Sequence, residues 1–368
     1  MKLLIGLMSG TSMDGIDAAL VDVESNTLAS GMTYPYSDQV KSNLTRVLNS
    51  ETVSLEQLCQ LNTLIGRDFA SAVHSLLETS HKRPSEVVAV GSHGQTIVHD
   101  ATVVIPYTLQ LGCAHTIAEL TGIPVVADFR TRDLVIGGQG APFAPLYHQV
   151  LFGDTKSSQA IVNIGGISNV TYLKDGIAIA GYDVGPGNCL LDRWINQHLN
   201  VPFDQDGQWA ATGIVLEELL AALLSDPYFA LSPPKSLGKE YFSDPWLSTY
   251  LKPEFEPQDV QATLVALTAA AIANDLKKSP FQAKRLVLCG GGTHNHALQH
   301  ELTRQLPGLN ILSSQKVGID PDYIEAMMFA WLADKAMNRV PLDFGLITGA
   351  KRQAIYGAMY APGFIQHD

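Results

Sequence analysis

Apolar residues along the chain fall into two rhythms. Short continuous runs end at glycine or small hydroxyl residues. Longer stretches carry leucine, alanine and methionine every three or four positions. The first rhythm predicts buried strands and the second predicts helices. Leu3–Gly6 and Ile16–Val23 flank a small polar turn, and Ala160–Ile164 and Val170–Leu173 flank another, so each pair reads as strand, turn, strand. Val87–Gly91 is a short buried strand that runs into Ser92-His-Gly-Gln-Thr96, and Leu286–Cys289 is a strand that runs into Gly290, Gly291 and Gly292. Residues 38–80 read as helical, with Leu44, Leu48, Leu55, Leu58 and Leu61 and no proline. Cys113–Leu120 reads as a short helix closed by Gly122 and Pro124. Val125–Asp133 reads as a strand, which would point Asp128, Arg130 and Arg132 to one face.

Further on, the turn Gly181–Asn188 leads into a helix over Cys189–Leu199. Residues 226–259 are poor in apolar runs, yet Phe229, Tyr241, Phe242 and Trp246 require burial, so this is an irregular insertion and not a linker. Val260–Lys278 is an alanine-rich helix. Asp320 and Pro321 read as the cap and first residue of a helix carrying Ile324, Met327, Met328, Trp331 and Leu332. Strands and helices alternating around a repeated hairpin predict two α/β domains of one ancestry. The division is expected at residues 1–130 plus a C-terminal return over 345–368, against 131–344.

Composition narrows the class. A chain of 368 residues with a 46% hydrophobic share supports large cores. The net charge of −12 argues against nucleic acid or an anionic membrane surface as partner. The run after Lys2 is broken by Gly6 and is too short for a signal core, and no stretch reaches the ~20 apolar residues of a membrane span. Cys59, Cys113, Cys189 and Cys289 are scattered and read as buried thiols in a reducing compartment, so a cytoplasmic location is expected.

The glycines carry the first chemical signal. Gly6, Gly10, Gly15, Gly165 and Gly166 allow backbone N–H groups to approach a ligand, and Ser9, Thr11, Ser12 and Ser168 add hydroxyl donors. Two such hairpins, with the Gly290–Gly292 turn, could grip a polyphosphate. Neither the Walker pattern nor the dinucleotide glycine fingerprint occurs. Asp183, among Gly181, Gly185, Pro186 and Gly187, suits a general base or a turn cap equally. Arg130 and Arg132 form either an anion site or a surface ion-pair ladder. Glu325 is either a ligand for substrate hydroxyls or a helix-terminus charge. Asp14 or Asp17 could hold Mg²⁺ through water, though Asp17 also suits a solvent-facing strand position. His93 with His99, and His294 with His296, lack zinc spacing.

The chain resembles the anhydro-N-acetylmuramic acid kinases of the actin/hexokinase/Hsp70 superfamily. The resemblance rests on Gly6–Asp17, Ser92–Thr96, Ala127–Arg130, Gly137–Pro142, Asn163–Asn169, Asp183–Asn188, Cys289–Asn295 and Gly349–Lys351. It implies two duplicated ribonuclease H-like domains with a central cleft. It also implies ATP-dependent phosphorylation of O6 of 1,6-anhydro-N-acetylmuramic acid, with hydrolytic opening of the anhydro ring. Under it Asp183 is the catalytic base. Gly10, Thr11, Ser12, Met13, Asp14, Gly15, Ile16, Asp17, Gly165, Gly166 and Gly290–Gly292 face ATP, with Asp14 toward Mg²⁺. His93, Arg130 and Glu325 face the sugar. The partners are then small molecules, with the oligomeric state left open, a homodimer included. Two other readings compete: a superfamily kinase acting on an ordinary hexose, and a non-catalytic actin-like ATP switch.

Overall fold

The computed structural model describes residues 1–10, 15–50, 52–153, 157–233, 235–237 and 241–363. Its strands are β1 (Leu3–Ser9), β2 (Ile16–Asp22), β3 (Thr27–Tyr34), β4 (Val87–Asp100), β5 (Tyr107–Leu111), β6 (Val125–Ala127), β7 (Gln159–Ile164), β8 (Ile167–Lys174), β9 (Ile177–Pro186), β10 (Arg285–Cys289), β11 (Asn310–Ser313) and β12 (Ala358–Tyr360). The chain divides into two compact units, residues 1–147 with 323–368, and residues 148–322.

The same topology occurs in both units. In the first, β1, β2 and β3 form an antiparallel meander, β4 adds parallel to β1, and β6 adds parallel to β4. In the second, β7, β8 and β9 form the meander, β10 adds parallel to β7, and β11 adds parallel to β10. Each sheet therefore runs 3-2-1-4-5 in its own strand count, the ribonuclease H-like order. The first sheet also carries β5 beside β4 and β12 beside β6. These are the duplicated α/β domains that the repeated hairpin predicts. Each hairpin exists as read: Leu7 pairs with Ala18 in the first, and Val162 with Val170 in the second.

Each sheet is covered by apolar helices. In the first unit β1 is buried along its whole length, and Ile65, Phe69, Val73 and Leu76 of helix Leu55–Thr79 join its core. Helix Ile324–Met337 packs on β1 and β4, where Gly6 lies against the Ala326 carbonyl and Gly91 against the Phe329 carbonyl, with no room for a Cβ. This contact assigns the helix to the first unit, whereas the sequence pattern puts the division at 130 and 345. In the second unit helix Pro257–Lys278 runs through the core and is buried on nearly every face. Alanine at positions such as Ala269 and Ala273 permits that close approach.

Four local expectations change. The helical stretch over 38–80 is two helices, Asp38–Leu48 and Leu55–Thr79, because Ser54 and Gln57 form a capping box that starts the second. The strand expected over 125–133 stops at Ala127. Asp128 turns into the left-handed region, and Phe129–Val135 is helical. Successive helical residues are about 100° apart, so Arg130 and Arg132 do not share a face: Arg130 is half-buried and Arg132 exposed. Asp183 lies inside β9 and not in a turn, because the ladder to β8 continues to Pro186. Asp320 and Pro321 precede the last long helix, which begins at Ile324; the Asp320 carboxylate instead accepts from the Asp322 N–H at 3.0 Å.

Candidate functional site

In the first unit the parallel strands β1 and β6 end alongside the middle of β4, and chemistry-bearing residues collect there. Ser9 ends β1, and its Oγ lies 2.8 Å from Gln95 Oε1 and 3.0 Å from the Gly15 carbonyl. Tyr36 donates to the same Gln95 oxygen at 3.3 Å. These buried contacts tie the end of β1 to Gly15 and to Gln95 of β4, with Thr11, Ser12, Met13 and Asp14 between Ser9 and Gly15 in the sequence. Those four residues lie outside the described ones. Gly15 is packed against Thr33 and Tyr34, and the Ile16 side chain is in the core. Only the Ile16 backbone can therefore face a ligand. Asp17 is half-buried on β2 and accepts from Thr33 Oγ1 at 2.7 Å.

His93 and Arg130 meet here. Arg130 Nε donates to His93 Nε2 at 2.9 Å, and Nη1 donates to the Gly140 carbonyl at 3.0 Å. An imidazole nitrogen that accepts from a guanidinium is unprotonated. Burial, and then the adjacent Arg130 charge, hold the His93 pKa well below its ordinary value. His93 is thus a neutral support for the arginine. Burial lowers Arg130 to about 10, against the opposing pull of Glu325 and Asp133. Glu325 enters from the first turn of helix Ile324–Met337, set by the Gly6 and Gly91 contacts. Its carboxyl is raised by burial and by Asp17, and is lowered by Arg130. His93, Arg130 and Glu325 therefore form one mixed-charge cluster.

In the second unit the glycines converge. The Gly165–Gly166 tip between β7 and β8 is tied to the segment after β9: Gly187 N–H and Cys189 N–H donate to Gly166, and Asn188 N–H donates to Gly165. Gly187 lies so close to the Gly165 carbonyl that a Cβ would not fit. Thr268 Oγ1 anchors the Gly187 carbonyl at 3.0 Å. Gly290, with φ +79°, and Gly292 press on the end of β7, whereas a Cβ on Gly291 would meet nothing within 4 Å. Gly165 and Gly166 are almost as open. Some of these glycines are thus required by the fold, while others leave a cradle that a ligand could fill. The second unit also holds a cavity of about 560 Å³, lined by Ala262, Val265 and Ala266 of helix Pro257–Lys278 and by His296, Ala297, His300 and Glu301.

Asp183 sits on β9 opposite Asn169 of β8. The segment over 235–237 wraps it: Leu237 N–H donates to Asp183 Oδ2 at 2.9 Å, and Asp183 N–H donates to the Lys235 carbonyl at 3.2 Å. Tyr228 OH donates to the Asp183 carbonyl at 2.8 Å, and Lys235 Nζ lies 4.8 Å from the Tyr228 ring centroid. Burial pushes the Asp183 carboxyl up to about 6, against the Leu237 N–H and the Lys235 charge, which lower it. A carboxyl near 6 ionises at neutral pH and can still take a proton, which is what a general base requires. The insertion that supplies the wrap is held by Asp226, which accepts from Tyr228 N–H, Tyr241 OH and Trp246 Nε1.

Sequence reasoning missed Lys235, Leu237, Gln95 and Asp133. Leu237 acts through its backbone, which no residue pattern announces. Gln95 is silent until β1 and β4 are paired. Asp133 carried a weak signal, a carboxylate directly before the apolar run Leu134–Ile136. Among the described residues no group of three or more His, Cys, Asp or Glu side chains forms a metal cage, and no single helix is long and apolar enough to cross a membrane.

Two α/β domains of one strand order, each with glycine turns at its strand ends, make a duplicated ribonuclease H-like fold. The family model for anhydro-N-acetylmuramic acid kinase matches residues 2–362. The anhydro-N-acetylmuramic acid kinase of Legionella pneumophila (strain Corby) is 56% identical over 360 residues, covering 98% of each chain. That of Coxiella burnetii (strain Dugway 5J108-111) is 44% identical over 359 residues, covering 97% of this chain and 96% of the relative. The chain belongs to the anhydro-N-acetylmuramic acid kinase family.

Proposed function

We propose that this protein uses ATP and water to convert 1,6-anhydro-N-acetylmuramic acid into N-acetylmuramic acid 6-phosphate and ADP, as a step of cell-wall murein recycling in the cytoplasm. The observation that carries the mechanism is the wrapped carboxylate of Asp183, raised to about 6. Asp183 takes a proton from water as the water oxygen attacks C1 of the sugar. The C1–O6 bond breaks, and O6 keeps the electron pair and attacks the γ-phosphorus of ATP. ADP leaves. Asp183 thus serves both steps, and the departing oxygen needs no separate acid because it goes to phosphorus. Leu237 N–H holds one carboxylate oxygen and leaves the other for water.

The remaining residues position the substrates. Arg130, backed by neutral His93, would meet the lactyl carboxylate of the sugar, and Glu325 would accept from a sugar hydroxyl. The open glycines Gly165, Gly166 and Gly291 suit close backbone approach to phosphate oxygens. Gly10, Gly15 and the backbone at Ile16 and Asp17, at the start of β2, would face ATP from the first hairpin. The cavity with an apolar wall of Ala262, Val265 and Ala266 facing the polar His296, His300 and Glu301 suits the nucleoside. Mg²⁺ would neutralise charge on the transferring phosphate, held mainly by phosphate oxygens with at most one or two carboxylates, Asp14 first among them.

Small-molecule partners agree with a net charge of −12, and a reducing compartment agrees with four cysteines that form no disulfide, although Cys59 is exposed and Cys113 and Cys189 are half-buried instead of buried as expected. ADP release from purified protein, measured with and without the anhydro sugar, tests the reading. Sugar-dependent release supports it. Equal release in both arms would favour an ATP switch, and release on glucose alone would favour an ordinary hexose kinase.

A further inference from the structure

Asp133 is wholly buried and lies one helical turn beyond Arg130 on helix Phe129–Val135. Its Oδ2 accepts from Gly140 N–H at 2.7 Å. Its Oδ1 accepts from Thr348 Oγ1 at 2.9 Å and from Tyr356 OH at 3.1 Å. Gly140, at φ +73°, returns its carbonyl to Arg130 Nη1 at 3.0 Å. Both polar groups of the Gly140 residue are therefore tied to one short helix, its N–H through Asp133 and its C=O through Arg130. Gly138 packs directly on the Asp133 carboxylate, so that a Cβ there would strike it. The C-terminal segment completes the brace, with Gln139 N–H on the Thr348 carbonyl and Lys351 N–H on the Ile136 carbonyl, both at 3.0 Å.

We propose that Asp133 is a positioning residue for the sugar-side arginine, clamping the loop over 136–140 so that Arg130 is held in one orientation, with Thr348 and Tyr356 of the C-terminal segment as its supports. A carboxylate can accept from all three donors at once, because it has only acceptor oxygens. Asparagine cannot. Its amide nitrogen must face either Gly140 N–H, which sets two donors against each other, or the two hydroxyls, which must then turn from donating to accepting, Thr348 toward the Phe344 carbonyl. A buried anion with three donors converging on it holds geometry more strictly than neutral pairs do. Arg130 needs that strictness, since its planar fork recognises a carboxylate only when correctly aimed.

The inference rests on the reading of Arg130 as the sugar-side cation, and the test separates the two. Steady-state kinetics on the full-length protein, with 1,6-anhydro-N-acetylmuramic acid and MgATP varied in turn, would compare Arg130→Lys, Asp133→Asn, Gly138→Ala, Thr348→Val and Tyr356→Phe. Gly138→Ala keeps the charge but displaces the carboxylate, so it is independent of any folding failure in Asp133→Asn. The clamp predicts that Asp133→Asn and Gly138→Ala each raise the KM for the sugar roughly tenfold, the scale of a small misplacement in a site. The KM for ATP should stay within about twofold, and Thr348→Val and Tyr356→Phe should each give a smaller rise in the same KM. An unchanged sugar KM in Arg130→Lys would overturn the reading of Arg130 itself. A raised sugar KM in Arg130→Lys, with Gly138→Ala and the two hydroxyl variants unchanged or altered only in melting temperature, would overturn the clamp.

Discussion

The two units share one strand order and differ at the ends of their strands. In the first unit the strand ends carry charges set close together: Arg130 is held by His93 and Gly140, and Glu325 lies in the opposing fields of Asp17 and Arg130. In the second unit the strand ends carry glycine, and Asp183, the carboxylate proposed as the base, accepts from the Leu237 N–H. A held arginine, lowered to about 10 and still a cation at neutral pH, suits fixed recognition of a charged substrate. A desolvated carboxylate with few partners has its pKa moved toward neutrality and suits proton transfer. Duplication supplied the same scaffold twice, and the site chemistry was assigned separately to each copy.

The largest effect that this contrast predicts is at Asp183. Asp183→Asn should lower kcat by on the order of 10⁴-fold, the upper end for a general base, while ATP binding by calorimetry is retained. The same change should stabilise the protein above pH 7. The folded carboxyl ionises near 6 and the ordinary value is 3.8, so the native state holds this proton longer than the unfolded chain does. Its contribution to stability is present at low pH and is lost as pH rises from about 4 to about 6. Asparagine removes that loss, and a denaturant melt at pH 8 checks it. A destabilised Asp183→Asn protein would break the contrast between the two units.

Arg130→Ala should act on binding instead of chemistry. Loss of a charge-assisted contact, about 1.5–3 kcal/mol, predicts a rise in sugar KM of roughly ten- to a hundredfold with a smaller change in kcat. The pH profile is the next discriminator. With Asp183 as base, kcat/KM should fall about tenfold per unit below pH 6. A profile flat down to pH 5 would remove the proton-transfer role. The smallest effects separate structural glycines from open ones. Gly292→Ala, blocked by Ile164, should cost about 1–3 kcal/mol of stability. Gly291→Ala, with nothing within 4 Å, should leave stability nearly unchanged and raise only the KM for ATP.

Much of this was legible in the sequence because it depends on local rules. Both hairpins, the strand before Gly290, and the helices near Cys189 and Val260 follow from apolar period and glycine position. The grouping of His93, Arg130 and Glu325 came from family motifs, and the structure supplies its physical basis: β4 and β6 are parallel neighbours, and Gly6 and Gly91 admit the helix that brings Glu325. The pattern failed where backbone geometry overrode alternation. Asp128 turns at φ 57°, which ends a strand that alternating charges seemed to continue. The wrap around Asp183 was hidden because a backbone N–H and a residue over fifty positions away make it. Asp133 was hidden because two of its three partners come from a segment over 200 positions away.

The central claim is that one reaction adds both water and phosphate to the anhydro sugar. Purified protein, ATP and 1,6-anhydro-N-acetylmuramic acid in ¹⁸O-water, with the product read at once by NMR and mass spectrometry, tests it directly. The account predicts a 6-phosphorylated sugar that first appears as the inverted α anomer, with the label at C1 and none in the transferred phosphate. A phosphorylated sugar with its anhydro bridge intact, a first-formed β anomer, or label in the phosphate would contradict it.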